Sequence, residues 1–435
     1  MTTVAYRSAV RKFYRRMLPL VVFMLVINQM DRTNIGFVQS HLDTDLGIGA
    51  AAFGLGAGLF FVGYAIFEVP SNMLLERVGA RVWLTRIMIS WGVVVAATAF
   101  TTDATMFYLM RLLLGIAEAG FFPGVMYYFT KWLPNAERGR ASAIFLGGSA
   151  TAYIVTGPIS GALLEMQGMG GLTGWKWMFL LEGGLSVLVG IIAGFFLVSR
   201  VNDAKWLTDE EKTALTAAIE QDEAARADAA VTKVPRWKLV TDPQVFLLCW
   251  LFFAMSLTGY AITFWLPSIV KKIQGINDFQ VGLLSAIPWI VAVVAMYLLA
   301  IFTDRTGRRR PWVAVGLVVG ALGTALATIG PPWFALVGMC LGAAGFKCAS
   351  SVFWPMAQHT LDLKIAAAGI ALINSLGNLG GFFGPTVVGY FQQHTGSPSS
   401  GLYVLSVASL VAALTVLLVR GRATAGSAVT TPAVR

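Results

Sequence analysis

Twelve apolar segments, each long enough to cross a lipid bilayer, follow one another along this chain of 435 residues. A transmembrane helix needs about 20 mostly apolar residues. The strands of a transmembrane barrel would instead alternate in hydrophobicity over about 10 residues. The sequence therefore predicts an all-α membrane protein in contact with the lipid bilayer. The predicted spans are 18–38, 51–75, 82–101, 104–130, 139–164, 177–199, 245–270, 279–303, 311–329, 333–357, 365–391 and 401–420.

Lysine and arginine are distributed unevenly between the connections. The formal net charge is +10, and 26 of the 32 Lys and Arg residues lie in the N-terminal segment, the even-numbered connections, the middle loop and the tail. Only Lys176, Lys271 and Lys272 fall on the other side. Because loops rich in Lys and Arg stay in the cytoplasm, we predict a multi-pass protein with both termini cytoplasmic, and no nucleic-acid partner. The lack of Asn-X-Ser/Thr sequons favours a bacterial inner membrane.

The two halves of the chain resemble each other. An acidic-Arg-X-Gly-X-Arg loop at 76–81 returns at 304–309, 228 positions later, and Gly157-Pro158 returns as Gly384-Pro385, 227 positions later. Two six-helix halves with internal symmetry are typical of transporters whose site lies at the midplane. A polar connection separates them, with a capping box at Thr208 and Glu211 opening a charged helix. The predicted units are an N-terminal six-helix bundle at 1–199, a cytoplasmic linker at 200–243, a C-terminal bundle at 244–422 and a flexible tail at 423–435.

The two loops resemble the loop motif of the major facilitator superfamily. Residues 31–37, 111–124 and 377–385 are similar to stretches of its anion:cation symporter family. The resemblance implies two six-helix bundles with pseudo-two-fold symmetry, importing organic anions with protons. It also implies anion binding by Arg32 and proton handling by Asp31 and Glu118. The chain departs from the loop motif at Asn72, Ala80 and Ala300, so we expect the two loops to act differently.

Asp31 and Arg32 lie together inside the first apolar segment. A charge at such depth costs at least ~2.5 kcal/mol and is typical of an ion, proton or substrate pathway. Neighbouring side chains on a helix diverge by about 100°, so we expect one to face the substrate and the other a neighbouring helix. The planar fork of arginine matches a carboxylate. We therefore assign Arg32 to the substrate's carboxylate, with a helix–helix ion pair as the alternative.

Glu118 lies about 21 Å along the fourth predicted helix at 1.5 Å per residue, near the bilayer centre. Burial favours its neutral form and a nearby cation favours its charged form, so substrate arrival can tip the balance, as proton coupling requires. The alternative is a permanently neutral Glu between helices. Lys347 lies 229 positions later, at the corresponding depth of the second half. We predict that it binds a second anionic or hydroxyl group, unless it is paired with a carbonyl or snorkels.

Further polar residues inside the apolar segments are predicted to complete the substrate site, or else to join helices by hydrogen bonds. These are Tyr64, Tyr260, Asn374 and Asn378. The roles of Glu68 and Arg111 stay open, and Glu182 is expected to form an interfacial ion pair, for instance with Lys176. The loops are expected to act as cytoplasmic latches through Glu76, Arg77, Arg81, Asp304, Arg305 and Arg308.

Together these features predict a secondary active transporter that imports an organic carboxylate with protons by alternating access. The cargo would be a sugar acid, a hydroxy-diacid or an aromatic carboxylate. The sequence shows no phosphate-binding loop, catalytic triad or metal cluster, so we expect a monomer without enzymatic activity, cofactor or metal. The alternatives are an anion exchanger or uniporter without proton coupling, a proton-coupled efflux pump, and a sensor that binds a metabolite without moving it.

Overall fold

The computed structural model describes residues 2–229, 242–361 and 366–419, and its regular secondary structure over these ranges is entirely helical. The helices of the first half are α1 Thr2–Arg16, α2 Leu18–Thr33, α3 Ile35–Leu46, α4 Ala50–Val78, α5 Ala80–Thr98, α6 Ala104–Glu118, α7 Phe121–Trp132, α8 Asn135–Leu164 and α9 Gly174–Phe196. The linker contains α10 Asp209–Ala229. The second half contains α11 Pro243–Val270, α12 Asp278–Thr306, α13 Arg309–Leu326, α14 Pro332–Thr360, α15 Ala366–Asn378, α16 Gly380–Thr395 and α17 Ser399–Thr415.

These helices form twelve spans in two six-helix bundles. Within the described ranges, nine segments are long and apolar enough by themselves to cross a membrane. The other three spans are α2 with α3, α13, and α15 with α16, which are broken into shorter pieces or begin with arginines. Helices α1 and α10 are additional, and both lie at one end of the first bundle.

The assigned helices of three predicted spans end and restart, after Thr33, after Glu118 and after Asn378. At the first and third of these points Asn34 and Leu379 keep helical dihedral angles, so the helix continues through a local irregularity. At the second point the helix is broken and the prediction is wrong, because Gly120 has φ +87°, a conformation that suits glycine. A side chain at that position would also meet Ser71 Oγ at 2.4 Å. Ser71 Oγ donates to the Ala119 carbonyl at 2.6 Å, which satisfies a backbone group that the break sets free.

Among the residues that the structure describes, the close packing between the two bundles lies at one end. Helix α8 packs on α12, α4 on α16 and α3 on α11. Glycines bring these pairs together: a Cβ on Gly157 would lie 2.3 Å from the Gly282 carbonyl oxygen, and one on Gly54 would lie 2.4 Å from that of Pro385. We call this the sealed end. The opposite end, where α1, α10 and the loops 76–81 and 304–309 lie, is called the basic end.

The linker helix α10 is docked on the first bundle at the basic end. Lys12 Nζ donates to Glu211 at 2.7 Å, and the rings of Trp132 and Trp206 stack with centroids 5.5 Å apart. The capping box predicted at Thr208 is confirmed, since Thr208 N donates to Glu211 at 2.9 Å and Glu211 N to Thr208 Oγ1 at 3.3 Å. Residues 230–241, which end the predicted linker, lie outside the described ranges.

Candidate functional site

A cavity of about 180 Å³ lies between the two bundles at mid-depth. Its first-half wall comes from α2, α4, α7 and α8, and its second-half wall includes Asn374 and Asn378 of α15. Phe122 and Leu146 line the cavity and are exposed. Because the packed glycines close the cavity from the sealed end, we assign its opening to the side of the basic end.

Arg32 lies on the cavity wall and forms an ion pair with Glu118. Its side chain is 13% exposed, whereas that of Glu118 is 1% exposed, so Glu118 lies behind Arg32 as seen from the cavity. The Arg32 guanidinium lies 4.9 Å from the ring centre of Phe60 and 5.2 Å from that of Tyr64. These rings hold the cation by a cation–π contact without occupying its hydrogen-bonding edge. The guanidinium is thus fixed where an anion from the cavity can reach it.

Arg111 is a second buried cation near the same carboxyl. It lies two turns before Glu118 on α6, and its guanidinium is 5.3 Å from the Phe60 ring centre. Within the described ranges, Arg111 Nε and Nη2 and Glu118 Oε2 have no hydrogen-bond partner. Arg111 thus adds a second positive charge near the Glu118 carboxylate, which is paired with Arg32, and the excess positive charge favours an entering anion.

Asp31 points away from the cavity. Its Oδ2 accepts hydrogen bonds from Trp91 Nε1 at 2.8 Å and from Ser186 Oγ. The residue is buried between α2, α5 and α9. Asp31 and Arg32, although adjacent in sequence, thus lie in different environments: Asp31 inside the first bundle and Arg32 at the cavity.

Glu182 does not form the expected interfacial ion pair with Lys176, and that prediction is wrong. The side chain is buried in the first bundle, where it accepts from Asn34 Nδ2 at 2.6 Å and from Ser160 Oγ at 2.8 Å. Lys176 lies instead over the Trp175 ring, 5.4 Å from its centre. A sequence signal existed: Ser186 lies four residues after Glu182, and Asn34 three residues after Asp31, so each pair shares a helix face.

The second half contributes aromatic and amide groups around the cavity. The ring of Tyr260 meets that of Phe61 edge-on with centroids 4.4 Å apart. Asn378 donates to Asn374 at 3.2 Å, and both line the cavity together with Tyr64 and Glu68. The amides keep further donors and acceptors for a polar ligand.

Lys347 lies in an aromatic enclosure beside the cavity. Its Nζ is 4.5 Å from the ring centre of Tyr153, 5.9 Å from that of Trp289 and 5.5 Å from that of Phe346. Tyr153 belongs to the first half and stacks on Trp289 of the second, with centroids 4.3 Å apart. Tyr153 also neighbours Gln29, which lines the cavity. Sequence reasoning missed Tyr153, because one tyrosine in an apolar helix has no distinguishing spacing.

The predicted latch residues that the structure describes form no ion pairs with one another. Glu76, Arg77, Arg305 and Arg308 are exposed, and Arg81 Nε donates to the Gly194 carbonyl at 2.6 Å. The side chain of Asp304 lies outside the part of the chain that the structure describes. Among the residues it does describe, no ion pair joins the loops 76–81 and 304–309, and no cluster could hold a metal ion. The gating role of these residues stays a prediction.

Polar contacts between the halves are found at the sealed end. Asp278 of α12 lies 3.1 Å from His41 Nε2 of α3, and it accepts from Lys271 Nζ at 2.8 Å. Gln39 accepts from Ser268 Oγ. These contacts join α3 to α11 and α12, so polar interactions as well as glycine packing hold the two bundles together at the sealed end. Sequence reasoning did not single out these residues, because they lie near the ends of the spans, where polar residues are ordinary.

Comparison with known proteins agrees with this architecture. The sequence profile of the Major Facilitator Superfamily matches residues 21–385. The chain is 41% identical over 412 residues to a putative tartrate transporter of Agrobacterium vitis, covering 94% of this chain and 91% of the relative. It is 38% identical over 405 residues to a quinolone resistance transporter of Acinetobacter baumannii, covering 93% of each. A bacterial homolog of the human lysosomal transporter Spinster, solved in an inward-facing and occupied conformation, matches with TM-score 0.75 at 17% identity, covering 95% of this chain and 97% of that one.

The twelve-helix fold with a cavity between two bundles is that of a secondary transporter. The chain belongs to the major facilitator superfamily. It is a multi-pass membrane transporter, not an enzyme, and its relatives include a protein named as a putative tartrate transporter.

Proposed function

We propose that this protein imports an organic carboxylate together with protons across a bacterial inner membrane. In this proposal it acts as a monomer with both termini in the cytoplasm, so the basic end faces the cytoplasm and the described state is open inward. The observation that carries the proposal is the Arg32–Glu118 pair, with the cation at the cavity wall and the acid buried behind it.

The pair offers a direct route to coupling. When Glu118 takes up a proton its charge is lost, and Arg32 is released to bind a substrate carboxylate through two parallel hydrogen bonds. When the substrate leaves, Arg32 is again an unpaired buried cation, which favours loss of the Glu118 proton and renewal of the ion pair. Proton and anion thus occupy the site together and leave it together. Asp31 is proposed to bind a further proton inside the first bundle.

The cavity favours a small acid with additional polar groups. Tyr64 from the first half and the amides of Asn374 and Asn378 from the second half line the cavity, and Tyr260 packs against the lining residue Phe61. Lys347 is proposed to turn from its aromatic enclosure toward a second carboxylate or a hydroxyl group. A tartrate-like hydroxy-diacid has both kinds of group, and the name of one relative agrees with this class.

Alternating access is proposed to proceed by rocking of the two bundles. Opening the sealed end requires separation of the packed helices there and of Asp278 from His41. Closing the basic end would bring together the loops that carry Glu76, Arg77 and Arg81 and Asp304, Arg305 and Arg308, so that their acidic residues can meet cations or helix N-termini.

The test is uptake of radiolabelled tartrate into proteoliposomes with an inward proton gradient. We expect accumulation above the outside concentration, alkalinisation outside, and loss of accumulation when a protonophore collapses the gradient. Uptake that ignores the gradient, yet is accelerated by tartrate inside the vesicles, would favour an exchanger and contradict proton coupling. If tartrate does not enter while another sugar acid or an aromatic carboxylate does, the substrate is a different member of the proposed class of organic carboxylates.

Proton-coupled efflux is a second candidate, because one relative is named as a quinolone resistance transporter. In everted vesicles acidified inside, an efflux pump would accumulate a quinolone at the expense of the proton gradient, whereas the proposed importer would not. Quinolone accumulation without tartrate uptake in the same preparation would replace the import proposal.

A further inference from the structure

A buried polar column joins the first span to α9 inside the first bundle. Ser186 Oγ donates to Asp31, and Asn34 Nδ2 donates to Glu182 at 2.6 Å. Asp31 and Asn34 lie one turn apart, as do Glu182 and Ser186, and the two spans run in opposite directions. Residues one turn apart have Cβ atoms about 5–6 Å from each other. The carboxyl groups of Asp31 and Glu182 are therefore close neighbours in the same column.

The hydrogen-bond partners of these two carboxyl groups are neutral in the described ranges. Asp31 accepts from the indole of Trp91 and the hydroxyl of Ser186, and Glu182 accepts from the amide of Asn34 and the hydroxyl of Ser160. Both residues are 1% exposed. The donors come from each of the spans packed around α9, and none of them can cancel a negative charge.

The charged groups on the surrounding helices are engaged elsewhere. On α2, Arg32 pairs with Glu118. On α5, Arg86 lies over the Trp83 ring, 4.0 Å from its centre. On α8, Glu165 accepts from the Phe279 backbone N–H at 3.2 Å at the sealed end. Asp31 is therefore the titratable side chain that faces Glu182 most closely, and it has the same sign of charge.

Two carboxylates in this column would be costly. An uncompensated charge in a protein interior costs several kcal/mol even after relaxation, and like charges at this separation disfavour each other further. Asn34 offers a way to keep Glu182 neutral. Its amide oxygen is buried and has no hydrogen-bond partner among the described residues. Rotation of the amide would let a protonated Glu182 donate to that oxygen, while the present orientation suits a carboxylate that accepts.

We propose that Glu182 is a further proton-carrying residue of the first bundle, in addition to Glu118 and Asp31, and that it binds its proton with Asn34 as the switching partner. This inference rests on the proposed proton-coupled import. Asn34 lies between α2 and α3, two residues after Arg32, and its backbone has helical dihedral angles (φ −55°, ψ −30°). Arg32 and Asn34 therefore belong to one helical stretch, and tilting or rotation of this stretch moves both the guanidinium and the amide. The charge of Glu182 is thereby linked to the position of the substrate-binding cation, and the proton passes between Glu182 and water as the stretch moves.

The test is the limiting accumulation of tartrate in proteoliposomes with the membrane potential clamped at zero and a pH difference of about one unit. Each coupled proton then multiplies the accumulation ratio about tenfold, because one pH unit corresponds to 1.36 kcal/mol. We expect Glu182→Gln, which keeps the shape of the side chain, to lower the ratio about tenfold while tartrate exchange continues. The matched control is Glu210→Gln on the exposed face of α10, which should leave the ratio unchanged.

The outcomes separate this inference from the proposed function. A wild-type protein without gradient-driven uptake overturns proton-coupled import itself. A coupled wild type together with a Glu182→Gln variant of equal accumulation ratio overturns only the role of Glu182. If the Gln variant fails to insert, infrared difference spectra of the Asp31→Asn/Glu118→Gln double variant replace it. A pH-dependent, slowly deuterated carboxylic acid band is expected there, and its absence counts against Glu182.

Discussion

The two bundles share a fold and differ in their interior chemistry. The first buries five ionisable residues, namely Asp31, Arg32, Arg111, Glu118 and Glu182. In the described interior of the second bundle, Lys347 is the corresponding charged residue. The amides of Asn374 and Asn378 line the cavity, and the ring of Tyr260 packs against the lining residue Phe61. Arg32 corresponds by repeat offset to Tyr260, and Glu118 to Lys347. The repeat conserves the helices without repeating their charges.

Concentrating charges in one bundle has a physical reason. Each isolated charge at mid-membrane is expensive, but a cation and an acid that face each other offset much of that cost. A bundle that carries both signs can also exchange one partner for another, as when a substrate carboxylate replaces Glu118 at Arg32. We therefore expect the first bundle to carry the proton chemistry and the second to set the shape and selectivity of the site.

The largest effect is expected at Arg32. Loss of one partner of a buried, hydrogen-bonded charge pair costs about 2–5 kcal/mol, so Arg32→Ala should weaken tartrate binding at least about 30-fold. Arg32→Lys keeps the charge without the planar fork, and its affinity for tartrate should lie between those of the wild type and the Ala variant. Isothermal titration of purified protein measures both. Wild-type affinity in the Ala variant would show that the first bundle does not hold the anion.

Glu118→Gln is expected to separate exchange from accumulation. The amide cannot exchange a proton, so Arg32 stays available to substrate and tartrate exchange should continue at a rate within about tenfold of wild type, the range of a single uncharged hydrogen bond. Gradient-driven accumulation should be lost. Both are measured in one proteoliposome preparation, with Glu210→Gln as the control. Accumulation at the wild-type level would assign Glu118 a structural role and weaken the division of labour between the bundles.

Much of the fold could be predicted from the sequence, because apolar length and loop charge are strong signals in a membrane. The twelve spans follow from these two signals, and the capping box of the linker helix follows from the Thr-X-X-Glu pattern that begins at Thr208. The break after Glu118 could not be predicted, since it depends on a contact between helices, that of Gly120 with Ser71. The site was predictable as a set of polar residues inside apolar helices. Its pairing was not, because sequence spacing does not show that Glu182 meets Asn34 rather than Lys176.

Lys347 tests whether the second bundle selects the cargo. If it contacts a second carboxylate, Lys347→Gln should weaken binding of a diacid about 10-fold, since a hydrogen bond to a charged group contributes about 1.5–3 kcal/mol. Binding of a monoacid of similar size should not change. Lys347→Arg keeps the charge and should retain part of the preference. Equal losses for both acids would indicate that Lys347 supports only the stack of Tyr153 on Trp289.

A smaller effect is expected at the sealed end, where the bundles touch. Asp278→Asn removes the contacts of this carboxylate with His41 of the first bundle and with Lys271 of its own bundle. Separation of the bundles breaks the His41 contact, and a partly exposed pair contributes about 0.2–1 kcal/mol, so the outward-open state should gain up to about 5-fold in population. An Ile269→Cys reporter, placed at a buried position of this end, should react correspondingly faster with an impermeant maleimide from outside. An unchanged rate would mean that glycine packing alone closes this end.

The smallest effect is expected for the contact between α10 and the first bundle at the basic end. Burial raises the pKa of Glu211, but hydrogen bonds from Lys12 and Ser8 outweigh it, and the net pKa is lowered. The folded state therefore gains stability from this group above about pH 4.3, the ordinary value for Glu, and loses it as the pH falls through the lowered folded pKa. The thermal unfolding temperature in detergent should fall at acid pH in the wild type and fall less in Glu211→Gln, with Glu210→Gln as the control. If the unfolding temperature falls equally with pH in all three proteins, α10 docks through Trp132 and Trp206 rather than through charge.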